Sequence, residues 1–394
     1  MKAILTASQF ALVNILALMH AFALIEGDDW VWGIYIAALM LGSVVDDGLG
    51  DRRRDLSPKV RWIYELNLYL TIPILILITV VHLHHWTGAD PIGLRALANQ
   101  YGLEMKSLYA YGKYEKLILT TVGTAYFYSL LGMAVGHELV HRSSIFERAA
   151  GKILLAFNMN VSFAIAHVYG HHRNVATYED PGSARRNEYV LAFAVRSTMM
   201  QHIEAFQLEA KRLRHKRLPV LSWHNRAMRD QLYSLALLLF AYWLAGVSGL
   251  IAMLITGLLG SLFQKMVDYA QHYGLVRVKP TKFQDRHSWD CYRLLTSVLQ
   301  FNLSLHSHHH QSATTPFWKL QPKKDAPRLP MGYQTASLLA LIPPIWKRLV
   351  NPILYEWDNT MANEEERALI RKRGWEIEKD SWYLTPQWLR NAIS

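Results

Sequence analysis

The sequence predicts an all-α fold: a polytopic membrane protein of about six transmembrane helices with a cytoplasmic, histidine-rich metal-binding cap. Three observations predict it. Several apolar runs approach or exceed the roughly 18–20 residues a helix needs to cross a bilayer. The chain is 51% apolar, with 13 Trp and 20 Tyr, which argues against the two or three soluble domains that its 394 residues would otherwise allow. Half of its 18 histidines fall in four short boxes, each at the end of an apolar run or just beyond one.

Taken in order, the first span is expected at about residues 4–25. It could pass for a signal peptide, but no clear small-residue cleavage site follows and the run is long, so it is read as a retained span. Asp28 and Asp29 mark an outer turn, Trp30 and Trp32 are interface anchors, and the second span runs over 30–45. The loop after it carries Arg52, Arg53, Arg54, Lys59 and Arg61 and is placed in the cytoplasm by its charge. The third span, 62–81, contains Pro73, which membrane helices tolerate. The fourth, 117–136, delivers the stretch HELVH to the cytoplasmic face.

Residues 151–166 are apolar but short, and they contain Asn158 and Asn160. If they crossed, HVYGHH would lie on the opposite side from HELVH, so they are read as an in-plane or re-entrant helix. Residues 173–230 are polar and expected to be largely helical. Spans five and six, 232–246 and 249–266, form a hairpin broken near Gly246–Gly249, and His272 follows directly. The stretch Ala336 to Trp346 is too short to cross and is placed in the interface. The whole chain, 1–394, reads as one integral membrane domain, with its cap formed by 137–230 and 272–394.

The formal net charge of +11 is read as a positive-inside excess in cytoplasmic loops rather than a nucleic-acid footprint. The single cysteine, Cys291, excludes an internal disulfide and any cysteine-ligated cluster.

The boxes are His137 and His141; His167, His171 and His172; His272; and His306, His309 and His310. His137 and His141 are four apart, which on a helix stacks both rings on one face where they can share a metal. His167 and His171 repeat that spacing. His172 is turned about 100° from His171, so adjacent histidines point at different partners, which hints at two metals. Imidazole suits zinc, copper, iron and nickel alike, so the ligand type does not select the metal. His82, His84 and His85 imitate a box but end the third span on the other side. His308 is read as exposed or supporting. Glu138, Asp180 and Asp268 are candidates for orienting the ligating rings. HELVH alone matches the HExxH zinc-protease pattern, with Glu138 as base, but three further boxes exceed what one tetrahedral zinc needs.

With these residues in view, the chain resembles the membrane-bound histidine-box diiron superfamily of fatty acid desaturases and hydroxylases. Within that superfamily it resembles the alkane 1-monooxygenase and xylene monooxygenase group. HELVHR, GHHRNVATYEDPGSA, QHYGLVR and the late HxxHH carry the likeness, which runs from about residue 30 to about residue 375. It implies that the nine histidines hold two iron ions, with O2 as co-substrate. It also implies hydroxylation of a terminal or benzylic C–H bond in an alkane or alkyl-aromatic. Electrons would come from a separate NAD(P)H-driven donor, a rubredoxin or a ferredoxin-type reductase, in the cell inner membrane. The pattern departs from the alkane enzymes at Gln271, where they usually carry Glu, and at Ser304 and Leu305, which replace Gln-Arg. A fatty acyl desaturase, or a decarboxylase forming terminal alkenes, is the alternative on the same site; a membrane zinc metalloprotease ranks below it.

Overall fold

The computed structural model describes residues 1–26, 42–51, 56–103, 105 and 114–378. Among them there is no strand, only helices and two isolated bridges. In chain order the helices that matter here are α1 (Lys2–Glu26), α2 (residues 42–49), α3 (Arg61–Thr87), α4 (Tyr114–Val140), α5 (Ile145–Phe157), α6 (Val190–His215) and α7 (Arg226–His272). Three short helices follow: α8 (His306–Gln311), α9 (Tyr333–Ala340) and α10 (Pro343–Glu356). Four helices, α1, α3, α4 and α7, are long and apolar enough to cross a membrane.

The spans expected at 4–25, 62–81 and 117–136 fall inside α1, α3 and α4. The second expected span, 30–45, lies mostly outside the described residues, and only its end reaches α2. The expected hairpin is present as a break in α7. Ala245 (φ −148°, ψ 19°) and Gly246 (φ 62°, ψ −153°) leave helical geometry. The break reverses the chain, because both arms return to the same loop. Gln231 donates to Ser162 Oγ at 3.0 Å before the break, and Gln264 accepts from Asn160 at 3.2 Å after it. The described residues thus carry four long apolar helices, the last folded back on itself, where six spans are expected.

Polar side chains pin these helices together, as they do where no hydrophobic force separates helix from lipid. Asn14 of α1 donates to the Asn67 carbonyl of α3 (2.9 Å), and His20 meets Thr124 of α4 (3.1 Å). Thr79 meets Tyr128 (2.6 Å), and His82 meets Thr256 of α7 (3.0 Å). An aromatic stack then joins the helices to the cap. Phe10 packs on Phe317 at 4.9 Å, and Tyr64 stacks on Trp318 at 5.3 Å.

The helix expected across 173–230 forms only from Val190 onward. Before it the chain turns, with Ala176 and Asn187 at φ 62° and 63°. Asp180 drives the turn: its carboxylate accepts from the Gly182 amide (3.0 Å) and the Ser183 hydroxyl (2.6 Å), bonds that compete with helix. The stretch 336–346 becomes the end of α9 and the start of α10. Ala336, Ala340 and Trp346 are buried against the cap, while Leu338, Leu341, Ile342 and Ile345 are exposed, as an interfacial helix pair requires.

Candidate metal centre

All nine box histidines converge, and they sort into two groups. His137, His141, His167, His172 and His309 form one; His171, His272, His306 and His310 form the other, with the candidate ligand atoms of each group within 4.8 Å of one another. The α-helical boxes follow the four-residue rule: His137 pairs with His141, and His306 with His310. The middle box does not. Residues Ala166–His171 are wound as a π-helix, whose i→i+5 bonding brings i and i+5 onto one face. His167 therefore meets His172, with Nε2 atoms 3.0 Å apart, and His171 goes to the other group. α4 carries a second π-wound stretch, Tyr128–Met133, just before HELVH.

The donor set fits transition metals. Nε2 atoms face one another at 2.8 Å (His137 and His167), 3.1 Å (His172 and His309), 3.1 Å (His272 and His306) and 3.2 Å (His306 and His310). Two nitrogens at right angles about an ion with metal–nitrogen bonds of about 2.1 Å lie about 3.0 Å apart. Burial, with the neighbouring imidazoles adding to it, pushes His141 down to about 3 and His167, His172, His306, His309 and His310 well below their ordinary value. The rings are neutral, the form that ligates.

The three carboxylates fare differently. Asp180 accepts from His171 Nδ1 at 2.8 Å and leaves Nε2 free to face the group. Burial opposes its charge, but His171, Ser183 and the Gly182 amide together hold its carboxyl below the usual range. Glu138 does not touch a ring: it takes Arg142 (2.5 Å) and the Phe317 amide (3.3 Å). Asp268 does not either. It pairs with Lys265 at 2.8 Å. HELVH reaches the centre because Gly136 of α4 packs against Gly151 of α5, where a Cβ would sit 2.9–3.1 Å from the opposing carbonyl.

His82, His84 and His85 stay apart, bonded to Thr256, the Ala89 carbonyl and the Leu24 carbonyl. His308 is half-buried and accepts the Gln321 amide. Sequence reasoning passed over two ionisable residues near the centre. Lys265 is fully buried and donates to Gln201 (2.6 Å) as well as Asp268. Glu204 lies over Gly170, and burial together with Asp180 pushes it up to about 7. A lysine inside an apolar run with an aspartate three residues on was the available signal for the first; nothing local marks the second.

A cavity of about 420 Å³ ends on the histidines. His137, His167, His171, His272 and His306 form part of its wall, with Leu130, Met133, Phe163, Phe263 and Val267 among the apolar remainder. Its mouth includes Leu119, Val122, Leu338 and Leu341, which are also exposed on the outer surface of α4 and around α9.

The fatty acid desaturase family model matches residues 117–337, more than half of the chain and every box. The chain belongs to the fatty acid desaturase family. Alkane 1-monooxygenase 1 of Pseudomonas aeruginosa is 38% identical over 227 residues, 56% of this chain and 59% of the relative. The alkane 1-monooxygenase of Ectopseudomonas oleovorans is 28% identical over 337 residues, covering 83% and 77%. The hydroxylase component of the xylene/toluene monooxygenase of Pseudomonas putida is 29% identical over 250 residues, covering 62% and 68%. The chain spans 59–63% of the length of the first three relatives it matches. Membership of the desaturase family and the two histidine groups together point to non-haem iron.

Proposed function

We propose that this chain is a membrane non-haem diiron monooxygenase that hydroxylates a terminal or benzylic C–H bond of an alkane or alkyl-aromatic with O2. One observation carries the reading: five and four histidines stand in two adjoining groups at the end of an apolar cavity that opens toward lipid. His137, His141, His167, His172 and His309 would hold one iron, and His171, His272, His306 and His310 the other. Bound iron would supply the activation of dioxygen and the oxidation of the C–H bond. The chain's own residues do the rest. Phe163, Phe263 and Leu130 exclude water and aim a hydrocarbon at the histidine wall, and Asp180 fixes the ring of His171.

Electrons would come from a separate NAD(P)H-driven donor, a rubredoxin or a ferredoxin-type reductase. A basic mouth reaches His141 and His172 from the side away from the cavity. Arg61, Arg142, Arg148, Lys152, Arg226 and Arg229 line it, against Glu147 and Asp230. That charge supports a cytoplasmic position for this face, by the positive-inside rule, in a chain of the cell inner membrane.

A fatty acyl substrate would need a free cation near the cavity. Lys265 is the buried cation there, and Asp268 already pairs with it, which favours the hydrocarbon. A zinc protease would need Glu138 free as a base, and Arg142 holds it. Elemental analysis of the purified, detergent-solubilised chain, followed by turnover of octane, toluene and lauric acid with a donor system, tests the proposal. About two irons per chain and hydroxylated octane or toluene are expected; one zinc and no iron would overturn it.

A further inference from the structure

Part of the cavity wall is polar in a way that a plain hydrocarbon cannot match. Gln271, Gln300 and Tyr333 line it and are 2%, 6% and 0% exposed. Gln271 Nε2, Gln300 Oε1 and the Tyr333 hydroxyl have no hydrogen-bond partner in the protein. Gln271 and Tyr333 stand close to one another on that wall. A buried donor or acceptor left unmet carries its full desolvation penalty, so three on one wall call for a ligand.

The three are also held in place. Gln271 lies in the last turn of α7, and its carbonyl accepts the Trp289 amide at 3.0 Å. The Gln300 amide donates to the Thr296 carbonyl at 3.2 Å, and the Tyr333 amide donates to Thr296 Oγ1 at 3.1 Å. Thr296 itself donates to Asp46 at 2.9 Å. Three separate stretches of chain thus present two amides, each both donor and acceptor, and one hydroxyl, all uncharged. An alkane satisfies none of them. A carbonyl can only accept and would leave the amide oxygens unmet, and a carboxylate would bring a second negative group beside Asp268, which also lines the cavity. A hydroxyl both gives and takes a hydrogen bond, which is what this set asks for.

We propose that the cavity binds a hydroxylated hydrocarbon, its hydroxyl held by Gln271, Gln300 and Tyr333 next to the His272 group and its carbon chain toward the lipid-facing mouth. This deepens the monooxygenase reading and rests on it for the chemistry, but not for the binding.

The test is calorimetric titration of the full chain in lipid nanodiscs with decane, 1-decanol and decanoate, with partition into empty nanodiscs subtracted and iron content measured on the same samples. Decanol is expected to bind roughly tenfold more tightly than decane, the value of about one well-made buried hydrogen bond, and more tightly than decanoate. Tyr333→Phe and Gln300→Leu should each pull the decanol-to-decane ratio toward one. If Gln300→Leu does not fold, Tyr333→Phe, which removes a single oxygen, carries the test. Equal affinity for decanol and decane, or a ratio that both variants leave intact, would overturn the proposal. Two irons per chain with no alcohol preference sinks this inference alone; an alcohol preference in a chain that holds no iron sinks the monooxygenase reading alone.

Discussion

At the scale of single residues, the proposed centre depends on imidazoles that face one another in two groups. His141 Nε2 bonds nothing in the protein, so His141→Ala removes a donor and nothing else replaces it. His141→Ala and His309→Ala are expected to lose iron and activity together, measured by elemental analysis and turnover on the same sample. His84→Ala should keep both: its ring serves only the Ala89 carbonyl, and its loss should cost about 1 kcal/mol of stability. Asp180→Asn is subtler. It keeps the shape but weakens the hold on His171, and a loss of roughly 10–100-fold in iron affinity is expected by competition titration. The convergence of the nine histidines was legible because metal-ligand chemistry restricts which residue types can serve and boxes concentrate them, and Asp180 stood close enough in sequence to be a candidate for the contact it makes with His171. The contacts of Glu138 and Asp268 were not legible, because each found a cation within one helical turn, Arg142 and Lys265, and a strong near partner wins over a ring farther away. Gln300 and Tyr333 carry no local pattern at all, and Gln271 only its place before HYG; the fold alone brings the three to one wall.

At the scale of elements, the sequence pattern predicts straight helices well and their irregularities poorly. α1, α3 and α4 stand where apolar length put them. The hairpin in α7 was readable because glycine is the residue that accepts a reversal. Gly246, at φ 62° and ψ −153°, occupies a region that side chains avoid. No atom lies within 4 Å of a Cβ built there, so strain alone is at issue. Gly246→Ala is expected to lower stability by about 1–3 kcal/mol without removing iron, seen as a lower melting temperature at unchanged metal content. A variant as stable as the parent would mean the reversal lies elsewhere. The π winding at 166–171 had no such marker. One extra residue in a turn changes which histidines share a group, yet nothing in the six residues themselves announces it, and the segment packs on α6. That is why the spacing of His167 and His171 misled while that of His137 and His141 did not.

At the scale of the whole molecule, charge ties the cap together and gives it a face. Glu209 of α6 is fully buried and accepts from Arg212 (2.7 Å) and from Arg226 at the start of α7 (2.6 Å). Burial opposes its charge, but the two guanidiniums outweigh it and hold the carboxyl down at about 2. A lowered carboxyl stabilises the fold above its ordinary value of about 4 and loses that contribution as pH falls toward 2. Unfolding midpoints measured from pH 6 to pH 3 should therefore fall more steeply in the parent than in Glu209→Gln, whose stability is already reduced by roughly 1–3 kcal/mol because two partly exposed guanidiniums lose their counter-charge. Arg226 also lines the basic mouth beside His141 and His172, so the residue that fastens α6 to α7 helps set the charge of the side proposed to meet the donor. An acidic electron carrier would be steered there over distances comparable to the Debye length, about 10 Å at 0.1 M salt. Donor-driven turnover should fall as ionic strength rises, and Arg229→Glu should raise the KM for the donor several-fold while a chemical reductant still supports the parent rate. Turnover that is flat from low to high salt would place the donor on another face of the cap, and the basic mouth would then serve only to hold this side of the protein out of the membrane.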